Sequence, residues 1–396
     1  MTSAEKNKRI VIIGGGPAGS SLAIRLVEAG FKVTLVEREK FPRHKLCGEF
    51  ISPECLLHFE ELGVRKQMLA RGGARISKTI FYEPSGRSVE VPSTWFGTGG
   101  AALSLSRAEM DLTLLERAKD VGAAVFESTS VNGLIVADGH VKALKVHEKN
   151  GDSGNLEGDI FIDATGRSRI LARLIEKREG NATKPAGKNG LVGFKAHLKN
   201  ASVKPGCCEI YSFPGGYGGL SPIEDKLANH CFLVRPEIVR EMKGDADKIV
   251  ETAVYKNQRA FAALNGSEKV DDWLAVSVDG FGIKNLSPAS NVFTIGDAAA
   301  FVDPFTGSGM LIALESSELL ARLVRNHSSN LAELAANYRA AFDRQFRLRM
   351  RVCSLLRHAA FSPAIAKVVI SVLGASGVFR RLLTGATRSN EKLIER

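Results

Sequence analysis

Apolar positions along the chain change period several times, and the changes mark its elements. A β-branched run from Arg9 to Ile13 ends in Gly14-Gly15-Gly16-Pro17-Ala18-Gly19 and gives way to a helical stretch from Ser20 to Ala29. Gly30 closes that helix, and Lys32 to Val36 reads as a second buried strand ending at Glu37, so the chain opens with a βαβ unit. Ser106 and Glu109 have capping-box spacing ahead of a helix reaching about Ala118, with Leu112, Leu114 and Leu115 on its apolar side. A β-meander follows, with strands at Val131 to Ala137, Val141 to His147 and Leu156 to Ile162, and turns at Asp138-Gly139 and Asn150-Gly151.

An earlier strand is expected over Ile76 to Tyr82. From about Gly190 to Trp273 the pattern becomes short strands separated by Gly and Pro, notably Cys208 to Phe213 and Leu227 to Val234, and then one helix near Glu237 to Ala263. The chain returns to a buried strand at Val292 to Ile295 and to a helix from about Gly307 to Val324 carrying Leu311, Leu314 and Leu320. The opening unit is therefore discontinuous. The remaining residues read as largely helical, most apolar at Val368 to Leu373, Val378 and Phe379. Lys367, Arg380 and Arg381 bracket only a dozen residues there, against the roughly 20 needed for a bilayer span. A packed helical pair is expected, with surface attachment to an anionic membrane as the alternative.

At 396 residues the chain is long enough for two packed units. Hydrophobic residues at 44% and charged residues at 24% match a globular protein. The net charge of +11 is spread along the sequence without a block of like charges or a basic-aromatic stripe, which argues against a nucleic-acid partner. The polar start and the short apolar run after it do not make a signal peptide, so a cytoplasmic location is expected. The six cysteines have no CxxC pair and no zinc-like spacing, and read as reduced thiols; no metal is expected.

The chemistry concentrates in a few segments. In Gly14-x-Gly16-x-x-Gly19, Gly14 permits a sharp turn, Gly16 lets a pyrophosphate approach the backbone, and Gly19 lets helix and strand pack closely. Pro17 and Ala18 complete that loop. Glu37 is placed to accept from both ribose hydroxyls, and Arg38 follows it. Two downstream signals distinguish FAD from NAD: Ile160-Phe161-Ile162-Asp163-Ala164-Thr165-Gly166, a strand leading to a small-residue turn, and Thr294-Ile295-Gly296-Asp297-Ala298-Ala299, where Asp297 can accept from a ribityl hydroxyl or cap a helix. The loop through Pro304, Gly307, Gly309 and Met310 then opens a helix whose free amides suit the negative edge of a flavin.

Together these segments resemble the flavoprotein superfamily of p-hydroxybenzoate-hydroxylase-type monooxygenases, flavin-dependent halogenases and geranylgeranyl-reductase-like enzymes. The resemblance covers roughly residues 9 to 330. It implies an α/β fold: a Rossmann-like FAD-binding domain of glutathione-reductase type with a β-meander, an antiparallel-sheet substrate domain and C-terminal helices. The expected boundaries are 1–72, 106–183 and 285–330 for the FAD domain, 73–105 and 184–284 for the substrate domain, and 331–396 for the helical region. By the same resemblance Arg107 contacts FAD. Phe41-Pro42-Arg43-His44-Lys45-Leu46-Cys47-Gly48-Glu49 looks most like the reductase branch, whose Lys-x-Cys-Gly loop, here Lys45, Cys47 and Gly48, lies next to the flavin.

Tyr211 and Phe213, on one face of a strand, and Tyr217 are the expected substrate contacts, suggesting a small apolar or aromatic ligand. Cys47, Glu49 and His44 are the catalytic candidates, with His58 and Tyr82 as further acid-base candidates. There is no Trp-x-Trp-x-Ile-Pro segment, and Lys78 reads as an exposed strand lysine, so halogenation is disfavoured. With no second glycine fingerprint, electrons are expected from NAD(P)H docking transiently or from a separate reductase. The leading expectation is a monooxygenase acting on an aromatic or polyketide-like substrate through a flavin C4a-hydroperoxide. The alternative is reduction of isolated double bonds in a prenyl or lipid chain, and a flavin carrier without catalysis comes last.

Overall fold

The first strand is apolar on both faces because both are covered. In a computed structural model, which describes residues 8–97, 100–180 and 190–360 with positions 377, 381 and 385, Arg9–Ile13 is the centre of a five-stranded parallel sheet. The order across it is Val292–Thr294, Ile160–Asp163, Arg9–Ile13, Lys32–Val36 and Ala124–Phe126. Ile10 and Ile12 pack with Leu22, Leu26, Leu114 and Leu320 from the helices, whereas Val11 and Ile13 pack with Val141, Leu144 and Phe161 beneath the meander. Each such side chain contributes about 1.5–3 kcal/mol of burial, which fixes the register of the glycine loop that follows.

The helix Pro17–Glu28 starts with proline at its first position and ends before Gly30, whose φ of 90° an L side chain resists. It packs on the long helix Gly309–His327 through Ser21 and Ser317, whose hydroxyl oxygens lie 2.7 Å apart. The helix Arg107–Asp120 is capped by Ser106, whose Oγ accepts from the Glu109 amide. The expected reciprocal bond is made by another residue: the Ser106 amide donates to Glu224, at 3.0 Å, while Glu109 pairs with Arg71.

Two expected elements are divided. The third meander strand is Ser153–Glu157, and Ile160–Asp163 instead joins the parallel sheet. The division falls at Gly158, where a Cβ would sit 2.8 Å from Val11, and Asp159 is tied by its carboxylate to the Arg9 amide. The single helix expected over Glu237 to Ala263 is three short ones, Pro236–Glu241, Ala246–Thr252 and Gln258–Leu264. Gly244, at φ 80°, and Asp245, which caps the second helix, separate the first two; Asn257 caps the third.

The second sheet has eight strands and carries the other half of the site. Its order is Glu268–Lys269, Leu191–Lys199, Ala228–Val234, Gly216–Pro222, Cys207–Phe213, Lys78–Tyr82 and Ser88–Pro92, and Leu274–Val278 also pairs with Leu191–Lys199. All pairings are antiparallel except that of Lys78–Tyr82 with Cys207–Phe213. A strand expected over Ile76 to Tyr82 is split at Ser77: Ala74–Ile76 belongs to a small sheet with Ala102–Ser104 and Phe50–Ile51.

After residue 330 a helix, Leu331–Ala360, buries Phe342 and Phe346 and donates from Tyr338 Oη to the Thr294 carbonyl at 2.7 Å. A buried pair, Arg349 with Glu315, joins it to the helix Gly309–His327. The apolar stretch expected at Val368 to Leu373, with Val378 and Phe379, lies outside the described residues, as do the flanking Lys367 and Arg380 and residues 181–183. Among the described residues no helix is long and apolar enough to cross a membrane.

Candidate functional site: a dinucleotide cradle opening into an apolar chamber

The glycines divide into two kinds by what a side chain would meet. A Cβ on Gly14, at φ 104°, would lie 2.4 Å from the Ala164 carbonyl oxygen, and one on Gly19 would lie 1.9 Å from the carbonyl oxygen of Gly14. Both serve close packing of backbone on backbone. Gly16 is different, because its Cβ would meet only the guanidinium ends of Arg107 and Arg43, each at 3.8 Å. It faces the cavity whose wall also includes Pro17, Ala18, Lys45, Cys47, Gly48, Gly166, Gly296, Asp297, Pro304, Gly307, Gly309 and Met310. The fingerprint, the 45–48 loop and the chain near residue 300 thus converge on one space.

Three cations gather beside Gly16. Arg107 is held by Asp111 through two bonds of 2.7 and 2.6 Å, and Arg43 lies 3.2 Å from the same carboxylate. The atom that makes this contact, Arg43 Nη1, is buried and meets Asp111 as an ion pair without hydrogen-bond alignment. Burial, reinforced by Arg107 and Arg43, lowers the Lys45 ammonium to about 8, against the opposing pull of Asp111 and Asp297. Two guanidinium groups sharing the one Asp111 carboxylate, and a lysine short of negative charge, at the start of a helix with free amides, fit a diphosphate. Arg43 was not among the expected contacts, although its place in the 41–49 segment was the available signal. Because the bound anion favours the ammonium form, FAD affinity of the apoprotein is expected to fall as pH rises through about 8, measured by fluorescence titration.

Elsewhere the cradle is held from behind. Glu37 is buried at its strand end, accepting from the Gly15 amide at 2.8 Å and the Glu39 amide at 2.9 Å. Arg38 points away, 68% exposed and paired with Glu39. Asp163 is also turned from the cavity: its carboxylate accepts from Thr165 and from the Ala172 amide, so it fixes the turn and the helix Ile170–Arg178. Gly296, at φ 57°, lets the chain pass Ala18, since a Cβ would come within 2.9 Å of it. Burial raises the Asp297 carboxyl, opposed by Lys45, Arg167 and Arg107. Arg167, not singled out from the sequence, lines the cavity beside Asp297 and lies over the Phe301 ring.

The loop carrying Cys47 is docked onto the second sheet. Lys195, His197 and Asn229 share a sheet face toward it: Lys195 donates to the Lys45 carbonyl at 3.1 Å and Asn229 to the Cys47 carbonyl at 3.0 Å. Glu49, fully buried, takes Lys195 on one oxygen and His197 Nε2, at 2.9 Å, on the other, and also accepts from the Arg107 amide at 2.8 Å. Burial pushes the Glu49 carboxyl up, but His197 and Lys195 outweigh it and hold it below its ordinary range. Lys195 and His197 were missed; their signal is alternate charged positions in an otherwise apolar strand. Both Glu49 oxygens are thus taken by buried partners, which favour the ionised carboxylate. His44 is exposed, outside the cavity wall, its ring 5.3 Å from that of His197.

Beyond the cradle the cavity becomes apolar. Phe50, Phe81, Val89, Val91, Phe96 and Ile210 line it with Thr79, Ser212 and Ser221, and among the described residues its charged wall groups are Lys45, Glu49, Arg107, Arg167 and Asp297. Of the expected substrate contacts, Tyr217 lines it and donates to Asp303. Tyr211 and Phe213 do not: they pack in the core on the opposite face of the sheet, with Tyr211 donating to Glu209, and Cys208, Ile210 and Ser212 present the cavity face. Tyr82 belongs to the cavity wall and also packs beside Tyr211, at 5.9 Å between rings. His58 is distant, buried against Arg25 and Glu318. Lys78 pairs with Glu90 and is not part of the cavity wall.

A βαβ cradle closed by a second strand-turn near residue 300, with a sheet domain over its mouth, defines a flavin-dinucleotide protein of FAD-dependent oxidoreductase type. The FAD binding domain family matches residues 7–330, and the chain belongs to that family. It is 26% identical over 346 residues to a tryptophan 2-halogenase of Chondromyces crocatus, covering 83% of this chain and 63% of that protein. It is 27% identical over 315 residues to a digeranylgeranylglycerophospholipid reductase of Methanosarcina mazei, covering 78% and 73%. A geranylgeranyl bacteriochlorophyll reductase-like structure from Thermoplasma acidophilum superimposes with a TM-score of 0.77 at 17% identity, over 96% of this chain and 95% of that one. The chain thus spans less than two thirds of the halogenase it matches.

Proposed function

We propose that this protein is an FAD-dependent reductase that saturates an isolated carbon-carbon double bond in a neutral, prenyl-type chain. The observation that carries the reading is the composition of the cavity: among the described residues its charged wall groups are Lys45, Glu49, Arg107, Arg167 and Asp297, and most of the remaining wall is aromatic and aliphatic. Among the described residues no histidine lines the cavity to deprotonate a phenol, and its cations are those gathered at Gly16 or stacked on Phe301, so alkene reduction takes precedence over the hydroxylation expected from the sequence. FAD, when bound, supplies the two electrons; two protons complete the addition, and NAD(P)H or a separate reductase restores the reduced cofactor.

The protein's own part is positional. Arg43, Lys45, Arg107 and the amides after Gly16 hold the diphosphate, and Lys195, Glu49 and Asn229 fix the loop that presents Cys47 to the cavity. Cys47 Sγ accepts from the Glu49 amide at 3.3 Å and offers a thiol proton from that wall. The similarity to a reductase of digeranylgeranylglycerophospholipid supports this reading. Cys47→Ala is expected to lower turnover by about a hundredfold with FAD occupancy retained, the scale of losing a general acid; steady-state rates beside flavin absorbance check it.

The deciding experiment is an anaerobic incubation of the chemically reduced protein with a neutral polyprenyl lipid, followed by mass spectrometry. A product heavier by two hydrogens supports reduction. A product that appears only with oxygen and carries an added oxygen atom, or one that incorporates halide, overturns it.

A further inference from the structure

We propose that His44, His197 and Asp271 form a binding site for a divalent transition-metal cation of the Zn2+ type, at the seam between the 41–49 loop and the second sheet. One ligand atom from each of the three lies within 4.8 Å of the others. His197 Nδ1 and Asp271 Oδ2 are 3.7 Å apart, too far for a hydrogen bond and close to the roughly 3.3 Å that separates neighbouring ligands around a tetrahedral ion with bonds of about 2.0–2.1 Å. Two imidazoles and one carboxylate, with a position left open to water, is a donor set that zinc accepts.

A second observation is the orientation of His197. Its Nε2 donates to the buried Glu49 carboxylate at 2.9 Å, which turns Nδ1 toward Asp271. A carboxylate behind a ligating histidine is the arrangement that fixes tautomer and raises ligand basicity at metal centres. Among the described residues no lysine or arginine pairs with Asp271. The contrast is the other cluster of this composition, His58 with Glu61 and Glu318, where Arg25 already bonds both His58 and Glu61 at 3.2 Å and supplies the positive charge.

The ligands come from two parts of the chain. His44 belongs to the loop that carries Lys45 and Cys47, whereas His197 lies on the strand Leu191–Lys199 and Asp271 follows the strand Glu268–Lys269. An ion there clamps the loop to the sheet from the solvent side, next to the internal clamp made by Lys195 and Glu49.

The test uses the untagged, flavin-loaded protein, dialysed against Zn2+ and then against metal-free buffer, with elemental analysis and thermal unfolding as readouts. One zinc per chain and a raised melting temperature are expected. His44→Ala and Asp271→Asn, both at exposed side chains, should each weaken zinc binding at least tenfold and abolish the thermal shift. Failure of the wild type to retain zinc, or equal retention by the double variant, overturns the site. Neither outcome depends on the substrate, so this test stands apart from that of the reductase reading.

Discussion

Gly16→Val is expected to give a folded protein that purifies colourless, with FAD affinity reduced by at least about a hundredfold, or ~2.7 kcal/mol. The nearest neighbours of a Cβ at this position are the ends of two flexible side chains at 3.8 Å, so the fold has room for the substitution. The valine would nevertheless stand where Arg43, Arg107 and the helix amides converge, and a diphosphate could no longer reach them. Gly19→Val is the control of opposite kind: its side chain would collide with the Gly14 carbonyl and the variant should fail to fold. Circular dichroism and flavin absorbance separate the two. Normal FAD occupancy in Gly16→Val would mean that the dinucleotide lies elsewhere.

The second large effect is expected at Lys195. With Lys195 2% and Glu49 0% exposed, Lys195→Met leaves a buried carboxylate without its ammonium, at a cost of about 3–5 kcal/mol in unfolding free energy. The double variant Lys195→Met/Glu49→Gln should recover most of that loss, because no unpaired charge remains. Glu49 is held below its ordinary value near 4.5, so its contribution is present above that pH and is lost as acid protonates it. The gap between wild type and Lys195→Met should therefore narrow as pH falls below about 4.5. Urea unfolding at neutral and acidic pH measures this. A weakened FAD affinity in the single variant would show that the Lys45–Glu49 loop depends on the pair for its position.

The cradle was legible because its chemistry is local. A diphosphate needs a turn, a close backbone approach and a helix start within a few residues, and Gly14, Gly16 and Gly19 encode all three in order along the chain. The strand at Val292 and the Gly296-Asp297 turn were legible for the same reason. The chamber was not. Whether Tyr211 or Ile210 faces the ligand is decided by which side of the sheet the FAD domain covers, and alternation along a strand reads the same from either side.

Asp163 shows the same division, since its motif placed it beside the nucleotide and the packing of Ile170–Arg178 turned its carboxylate to that helix. So do Glu49 and His44, which were read together: 148 positions separate Glu49 from His197, and only the docking of loop on sheet makes one a buried ion and leaves the other in solvent. Residue order was enough for the glycine turn of the cradle, because the spacing of three glycines already contains its geometry, but not for Arg43 and Arg167 or for the turn of Asp163 away from the cavity. The shape and charge of the chamber and the partners of the buried ions came only with the folded chain, because they depend on which surfaces distant strands bring face to face.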